Sequence, residues 1–148
     1  MDRRTFLRAS CLGCSGLALG SGLLSLAGCA SIPLVKAESD GRSFTVPLSA
    51  FGENTRVIAR TKDLPYDVLV MKLPMGDLRA LYLQCTHRDQ PLTATSTDLH
   101  CTSHGSRFAM DGSVVEGPAS KPLRVFPVQL IGEQLHIQFK NYQNQLES

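Results

Sequence analysis

The chain is predicted to be all-β from residue 43 onward, and three observations lead to that prediction. Apolar and polar residues alternate over short runs, as they do in strands with one buried face. Proline, glycine and aspartate separate these runs at close spacing. No run carries an apolar stripe of helical period. Short strands joined by tight turns predict stacked antiparallel sheets.

The strands are predicted in order along the chain. Residues 43–46 alternate and stop at Pro47, and residues 55–60 alternate less cleanly. Three hairpins follow: 68–73 with 78–83, 107–110 with 113–116 around Asp111-Gly112, and 123–131 with 134–139 around Gly132-Glu133. The strand at 78–83 leads into the first of two clusters that contain cysteine and histidine.

These two clusters carry metal-binding chemistry. Cys85-Thr86-His87 has the spacing C-x-H, and Cys101-Thr102-Ser103-His104 has the spacing C-x-x-H, with thirteen residues between them. Each supplies one thiolate and one imidazole. Such a set can hold one tetrahedral metal ion, or a two-iron cluster with both sulfurs on one iron and both imidazoles on the other. The ligand types alone leave both alternatives open.

The residues that follow the second cluster favour two irons. Gly105-Ser106-Arg107-Phe108 comes next, then Asp111-Gly112, Gly117-Pro118-Ala119 and Leu123. From about residue 83 to 130, the chain resembles the Rieske family of [2Fe–2S] proteins, whose pattern reads CTH…CxxHGSxF…G…GPA…L. The resemblance implies one [2Fe–2S] cluster and a Rieske-type fold. In that fold, stacked antiparallel sheets carry a cluster-binding part, here about residues 83–124, at one tip.

The resemblance also implies a role for each ligand. Cys85 and Cys101 would bind an inner iron, and His87 and His104 an outer iron near the surface. Two imidazoles in place of two thiolates raise the reduction potential to about −150 to +300 mV, against about −400 mV for plant-type clusters with four cysteines. We therefore expect a cluster that is easier to reduce than an all-cysteine one.

Other positions are expected to tune that potential. Ser106 would donate a hydrogen bond toward the cluster, whereas Phe108 replaces a tyrosine of quinol-oxidising relatives and has no hydroxyl. Gly117-Pro118 would belong to a third loop that shields the cluster from water. Gln90 and Ser103 stand where high-potential Rieske proteins carry two bridging cysteines, so that disulfide is not expected. We predict a potential in the low or middle part of the Rieske range.

The first 28 residues predict a twin-arginine export signal. Arg3 and Arg4 begin a run that resembles S/T-R-R-x-F-L-K, and a glycine-rich apolar stretch follows. Leu26-Ala27-Gly28-Cys29 resembles a bacterial lipobox, whose cysteine is lipidated after the preceding segment is removed. We expect a lipid-anchored protein on the periplasmic side of a bacterial membrane, with residues 29–42 as a flexible tether and 43–148 as the Rieske domain. The alternative is an inner-membrane anchor formed by residues 6–28.

Charge argues against nucleic acid as a partner. The chain has 15 Lys+Arg and 13 Asp+Glu, a net charge of +2. Removal of the signal takes three cations and one anion, which leaves twelve of each. A neutral chain has no basic excess to bind phosphates.

Three functional classes stay open. The first is a membrane-tethered electron-transfer protein that acts between redox protein partners. The second is a subunit of a quinol-oxidising cytochrome complex or of an arsenite-oxidase-like molybdoenzyme. The third, a structural zinc protein, does not explain the HGSxF and GPA segments. A self-contained oxygenase needs a further iron held by two histidines and a carboxylate, and only His136 follows the cluster region. No catalytic residue is therefore expected.

Overall fold

The computed structural model describes residues 31–140, so the predicted export signal and Cys29 lie outside the described residues. Within that range the chain forms thirteen strands and one short 3-10 helix, Leu48–Phe51. The strands are β1 (Leu34–Lys36), β2 (Glu38–Ser39), β3 (Ser43–Pro47), β4 (Arg56–Arg60), β5 (Val68–Lys72), β6 (Leu78–Tyr82), β7 (Thr93–Ala94), β8 (Leu99–His100), β9 (Arg107–Phe108), β10 (Val114–Glu116), β11 (Val125–Phe126), β12 (Val128–Ile131) and β13 (Gln134–Gln138). No helix of residues 31–140 is long and apolar enough to cross a bilayer.

The strands build three sheets. The first has the order β1-β4-β5-β6-β11, the second β12-β13-β3-β2 and the third β10-β9-β8-β7. Neighbouring strands are antiparallel except β1, which runs parallel to β4. The predicted architecture of stacked antiparallel sheets is confirmed.

Two apolar cores lie on opposite faces of the central strands β5 and β6. The first core comprises Phe44, Val46, Phe51, Val57, Ala59, Val68, Val70, Ala80, Tyr82, Phe126, Leu135, Ile137 and Phe139. The second core comprises Leu69, Met71, Leu81, Leu83, Cys85, Leu92, Leu99, Cys101, Phe108, Ala119 and Leu123. Because side chains alternate along a strand, Val68 and Val70 enter the first core while Leu69 and Met71 enter the second. Because both faces of β5 are buried, its sequence is apolar at every position from 68 to 71.

All three predicted hairpins form, the third between β12 and β13 around Gly132-Glu133, but the first strand of that third hairpin is shorter than predicted. β5 pairs with β6, and β9 pairs with β10 across the Asp111-Gly112 turn. The strand predicted at 123–131 is wrong as one element, because it divides at Pro127 into β11 and β12, which belong to different sheets. Proline has no N–H to donate to a ladder. Its carbonyl instead accepts a hydrogen bond from the Gln138 N–H at 3.0 Å.

The flexible tether predicted at residues 29–42 is wrong for residues 34–39. β1 pairs with β4 from Leu34↔Ile58 to Lys36↔Arg60, and β2 pairs with β3. The Ala37 N–H also donates to the Arg60 carbonyl at 2.8 Å. The folded part therefore begins before residue 43. Strands of two or three residues are too short for alternation to reveal them, and the pairing of β1 with β4 also joins distant parts of the chain.

Gly112 sets the turn that leads toward the cluster region, and we predict that Gly112→Ala destabilises the protein. Its φ of +91° is left-handed, and an added Cβ would lie 3.1 Å from Leu81 Cδ2. The control is Gly76→Ala, where φ is +84° and no atom lies within 4 Å of the added Cβ. Both variants pay about 1–2 kcal/mol of backbone strain, but only Gly112→Ala adds overpacking of about 1–3 kcal/mol. Urea unfolding followed by circular dichroism measures the difference, and equal destabilisation by both variants would contradict it.

Candidate metal centre

Three loops converge at the edge of the second core. Loop 1 (residues 85–90) follows β6, loop 2 (residues 101–106) joins β8 to β9, and loop 3 (residues 117–123) follows β10. The Cys85 N–H donates to the Gln90 carbonyl at 2.8 Å, which closes loop 1 at its base. In loop 2 the Cys101 N–H donates to the Ser106 carbonyl at 2.8 Å. Each pair of candidate ligands therefore sits in a turn closed by its own backbone.

Side-chain hydrogen bonds join every pair of these loops. Ser103 Oγ donates to Gln90 Oε1 at 3.2 Å, Thr86 Oγ1 donates to the Lys121 carbonyl at 2.6 Å, and the Ala119 N–H donates to Ser106 Oγ at 3.0 Å. The first bond links loops 1 and 2, the second links loops 1 and 3, and the third links loops 2 and 3. The three loops therefore form one braced unit around the candidate ligands.

The two cysteines form the buried half of the site. Cys85 and Cys101 are 1% and 0% exposed, and both belong to the second core. Neither takes part in a disulfide. Burial opposes ionisation of Cys85. Hydrogen bonds from the His87 and Arg88 N–H groups and from the Cys101 and Ser106 side chains outweigh it, so the pKa of Cys85 lies below its ordinary value. A thiolate is the form that binds iron.

The two histidines form the outer half. The rings of His87 and His104 lie edge to face, with centroids 5.1 Å apart and an interplanar angle of 83°. His104 is exposed. Nδ1 of His87 is buried and has no hydrogen-bond partner among the described residues. A buried polar nitrogen without a partner is costly, and a metal ion would satisfy it.

The four candidate donors lie in two pairs. The side chains of Cys85 and Cys101 contact each other, and the imidazoles of His87 and His104 form the other pair. Two pairs of this kind fit a two-iron cluster with two sulfurs on one iron and two nitrogens on the other.

The structure also places the predicted tuning residues. Ser106 is fully buried, and because its Oγ accepts from Ala119, its hydroxyl hydrogen is free to point to the sulfur of Cys85. Phe108 is fully buried in the second core. Gly117 and Pro118 are exposed on loop 3, and Ala119 provides the buried contact of that segment.

The sequence did not reveal the residues that brace this region. The Arg107 guanidinium in β9 lies 2.8 Å from Asp98, which directly precedes β8, and 3.4 Å from Glu116 in β10. Hydrogen bonds from Thr95 and Arg107 hold the pKa of Asp98 below its ordinary value. Arg107 is the variable position of HGSxF, so the motif gave no signal for this role.

The comparisons with known proteins agree with this geometry. A family model described as the Rieske [2Fe–2S] domain matches residues 44–127, which is more than half of the chain. The chain therefore belongs to the Rieske [2Fe–2S] family. Its cofactor is one [2Fe–2S] cluster.

Curated relatives match the cluster region. Cytochrome b6-f complex iron-sulfur subunit 3 of Nostoc sp. is 43% identical over 56 residues, which is 38% of this chain and 30% of that protein. Cytochrome b6-f complex iron-sulfur subunit 1 of Synechocystis sp. is 38% identical over 56 residues, again with shares of 38% and 30%. The match thus spans under a third of the length of these relatives.

Solved structures share the fold. The plasma membrane Rieske protein PetC3 from Synechocystis PCC 6803 has a TM-score of 0.53 at 22% identity, over 63% of this chain and 95% of its own. A chain from the oxygenase–ferredoxin complex of carbazole 1,9a-dioxygenase has a TM-score of 0.50 at 19% identity, over 67% and 94%. At these identities the likeness concerns the fold alone.

We predict that Ser106→Ala lowers the reduction potential. A donated hydrogen bond stabilises the more negative, reduced cluster. A bond of about 0.5–1.5 kcal/mol corresponds to roughly 20–65 mV for one electron. Redox titration followed by visible absorbance measures the shift. Ser120→Ala, at an exposed position of loop 3, is the control, and an equal potential in both variants would contradict the role of Ser106.

Proposed function

We propose that this chain is an exported, membrane-tethered Rieske protein that transfers single electrons between redox protein partners. Cys85 and Cys101 hold the inner iron in this proposal, and His87 and His104 hold the outer iron. The observation that carries it is the division of the donors into a buried sulfur pair and an outer imidazole pair, with Nδ1 of His87 left without a partner.

The residues around the site suit electron transfer. A bound [2Fe–2S] cluster with this ligand set supplies a reversible one-electron couple. The second core excludes water from the sulfur side, which lowers the local dielectric. Hydrogen bonds join the three loops around the ligands, and the exposed edge of His104 gives a partner a short electronic contact. By itself the chain is not an enzyme in this proposal.

The surface beside the histidines supports a protein partner. Arg88 and Asp89 are exposed. The Asp89 carboxylate accepts a hydrogen bond from Gln84 Nε2 at 2.7 Å, whereas Arg88 has no ion-pair partner among residues 31–140. A free cation at the tip suits a polar protein surface more than an apolar quinone pocket.

A second candidate is a subunit of a quinol-oxidising cytochrome complex. The observation in its favour is that the curated relatives above are named as cytochrome b6-f complex iron-sulfur subunits. Co-purification from solubilised membranes distinguishes the two. A stable complex with cytochrome subunits supports the second candidate, and a chain that purifies alone and exchanges electrons supports the first.

The proposed ligand set is tested with His104→Ala. We expect the wild-type chain to carry two iron atoms and two acid-labile sulfides, and the variant to lose them because one imidazole of the outer pair is removed. Chemical iron and sulfide assays and electron paramagnetic resonance of the reduced protein measure this. His136→Ala, in β13 of the second sheet, is the control. An unchanged cluster in His104→Ala would contradict the assignment.

The proposed export and anchor are tested separately. We expect Arg3→Lys with Arg4→Lys to keep the protein in the cytoplasm, because the twin-arginine route reads that pair. Arg8→Lys is the control. We expect Cys29→Ser to abolish labelling by a radioactive fatty acid. Loss of membrane attachment in that variant supports lipidation, whereas unchanged attachment would favour an anchor formed by residues 6–28.

A further inference from the structure

Gln90 and Ser103 meet across the two ligand loops. Ser103 Oγ donates to Gln90 Oε1 at 3.2 Å, and Gln90 Nε2 donates to the Asp89 carbonyl at 2.9 Å. The second bond fixes the orientation of the amide, so that its oxygen faces Ser103. The backbone of Gln90 is held as well, because its carbonyl accepts the Cys85 N–H at 2.8 Å. One partner therefore ends loop 1, and the other directly precedes His104 in loop 2.

We propose that the Gln90–Ser103 hydrogen bond is a clasp that positions the ligand loops and limits the loss of the cluster. The clasp is a positioning contact, because neither residue binds iron. The inference rests on the proposed ligand set of Cys85, His87, Cys101 and His104.

The network of loop contacts gives this bond its importance. Loop 3 is joined to loop 1 through Thr86 and to loop 2 through Ser106. Among residues 31–140, the other side-chain contacts between loops 1 and 2 lie at the buried ligands and their neighbour Ser106: Cys85 with Cys101, Cys85 with Ser106, and His87 with His104. The clasp is therefore the contact between these two loops that involves neither a candidate ligand nor the buried Ser106.

The chemistry of the clasp also differs from that of a covalent link. An amide and a hydroxyl form their hydrogen bond under reducing and oxidising conditions alike, whereas a disulfide persists only under oxidising conditions. A protein that acquires its cluster in a reducing compartment can therefore close this clasp as soon as the cluster is in place. We expect retention of the cluster to be independent of thiol reductants.

A double-mutant cycle on the full-length, cluster-loaded protein tests the clasp. The variants are Gln90→Ala, Ser103→Ala and the combination, and the rate of cluster loss is followed by visible absorbance in the presence of an iron chelator. We expect each single variant to lose its cluster about two- to tenfold faster, as one hydrogen bond allows. The double variant should be no faster than the singles, because either change removes the same bond.

Matched variants separate the clasp from general effects of truncation. Gln84→Ala removes an exposed hydrogen bond from Gln84 Nε2 to the Asp89 carboxylate at 2.7 Å. Because this bond does not join loop 1 to loop 2, the rate of cluster loss should stay nearly unchanged. Ser103→Thr keeps the hydroxyl donor, so it should retain the wild-type rate. The reduced-state paramagnetic resonance spectrum should shift in the alanine variants and keep its wild-type form in Ser103→Thr.

The outcomes distinguish this inference from the proposed function. Single-variant effects that multiply in the double variant, or a Gln84→Ala effect as large as that of Gln90→Ala, would overturn the clasp. Such results leave the ligand assignment intact, because the wild-type protein still carries its cluster. A wild-type chain without iron and sulfide would overturn the proposed ligand set instead.

Discussion

The burial of two thiols against the central strands is the constraint on which the rest of the site depends. β5 and β6 are apolar on both faces, so one face closes the first core while the other receives Leu69 and Leu81 of the second. Cys85 and Cys101 complete that second core. A metal group that binds these sulfurs is thereby excluded from water on one side. The imidazoles of the same two loops lie at the outer side, so the site has a buried sulfur side and an outer imidazole side.

Polar contacts then hold this asymmetric site in shape. Buried Ser106 contacts both the Ala119 N–H and the sulfur of Cys85, so the same hydroxyl braces loop 3 and stabilises negative charge on sulfur. Such shared contacts couple the geometry of the loops to the electronic properties of the metal. Phe108 supplies packing without a hydroxyl, so the loops gain rigidity at that position without a further hydrogen bond to the cluster.

Strand length decided which strands could be predicted from the sequence. β5, β6 and β13 have five residues each, which is enough for burial on one or both faces to leave a pattern. β1 and β2 have three and two residues, which is too short for alternation to show, and the partner of β1 is distant in the chain. Pro127 was visible in the sequence, but the pattern did not show that the chain changes sheets there.

By itself the sequence determined the types of donor, their spacing and the β class, because these depend on residue identity and on local alternation. The four candidate ligands could be named for that reason, whereas the role of Ser106 and the division into a sulfur pair and an imidazole pair were implied by the resemblance to the Rieske family. Only the tertiary structure decided that both cysteines are buried in the second core and that Gln90 reaches Ser103. Those facts depend on how three loops from distant parts of the chain pack at the edge of one core, and no local pattern encodes such distances.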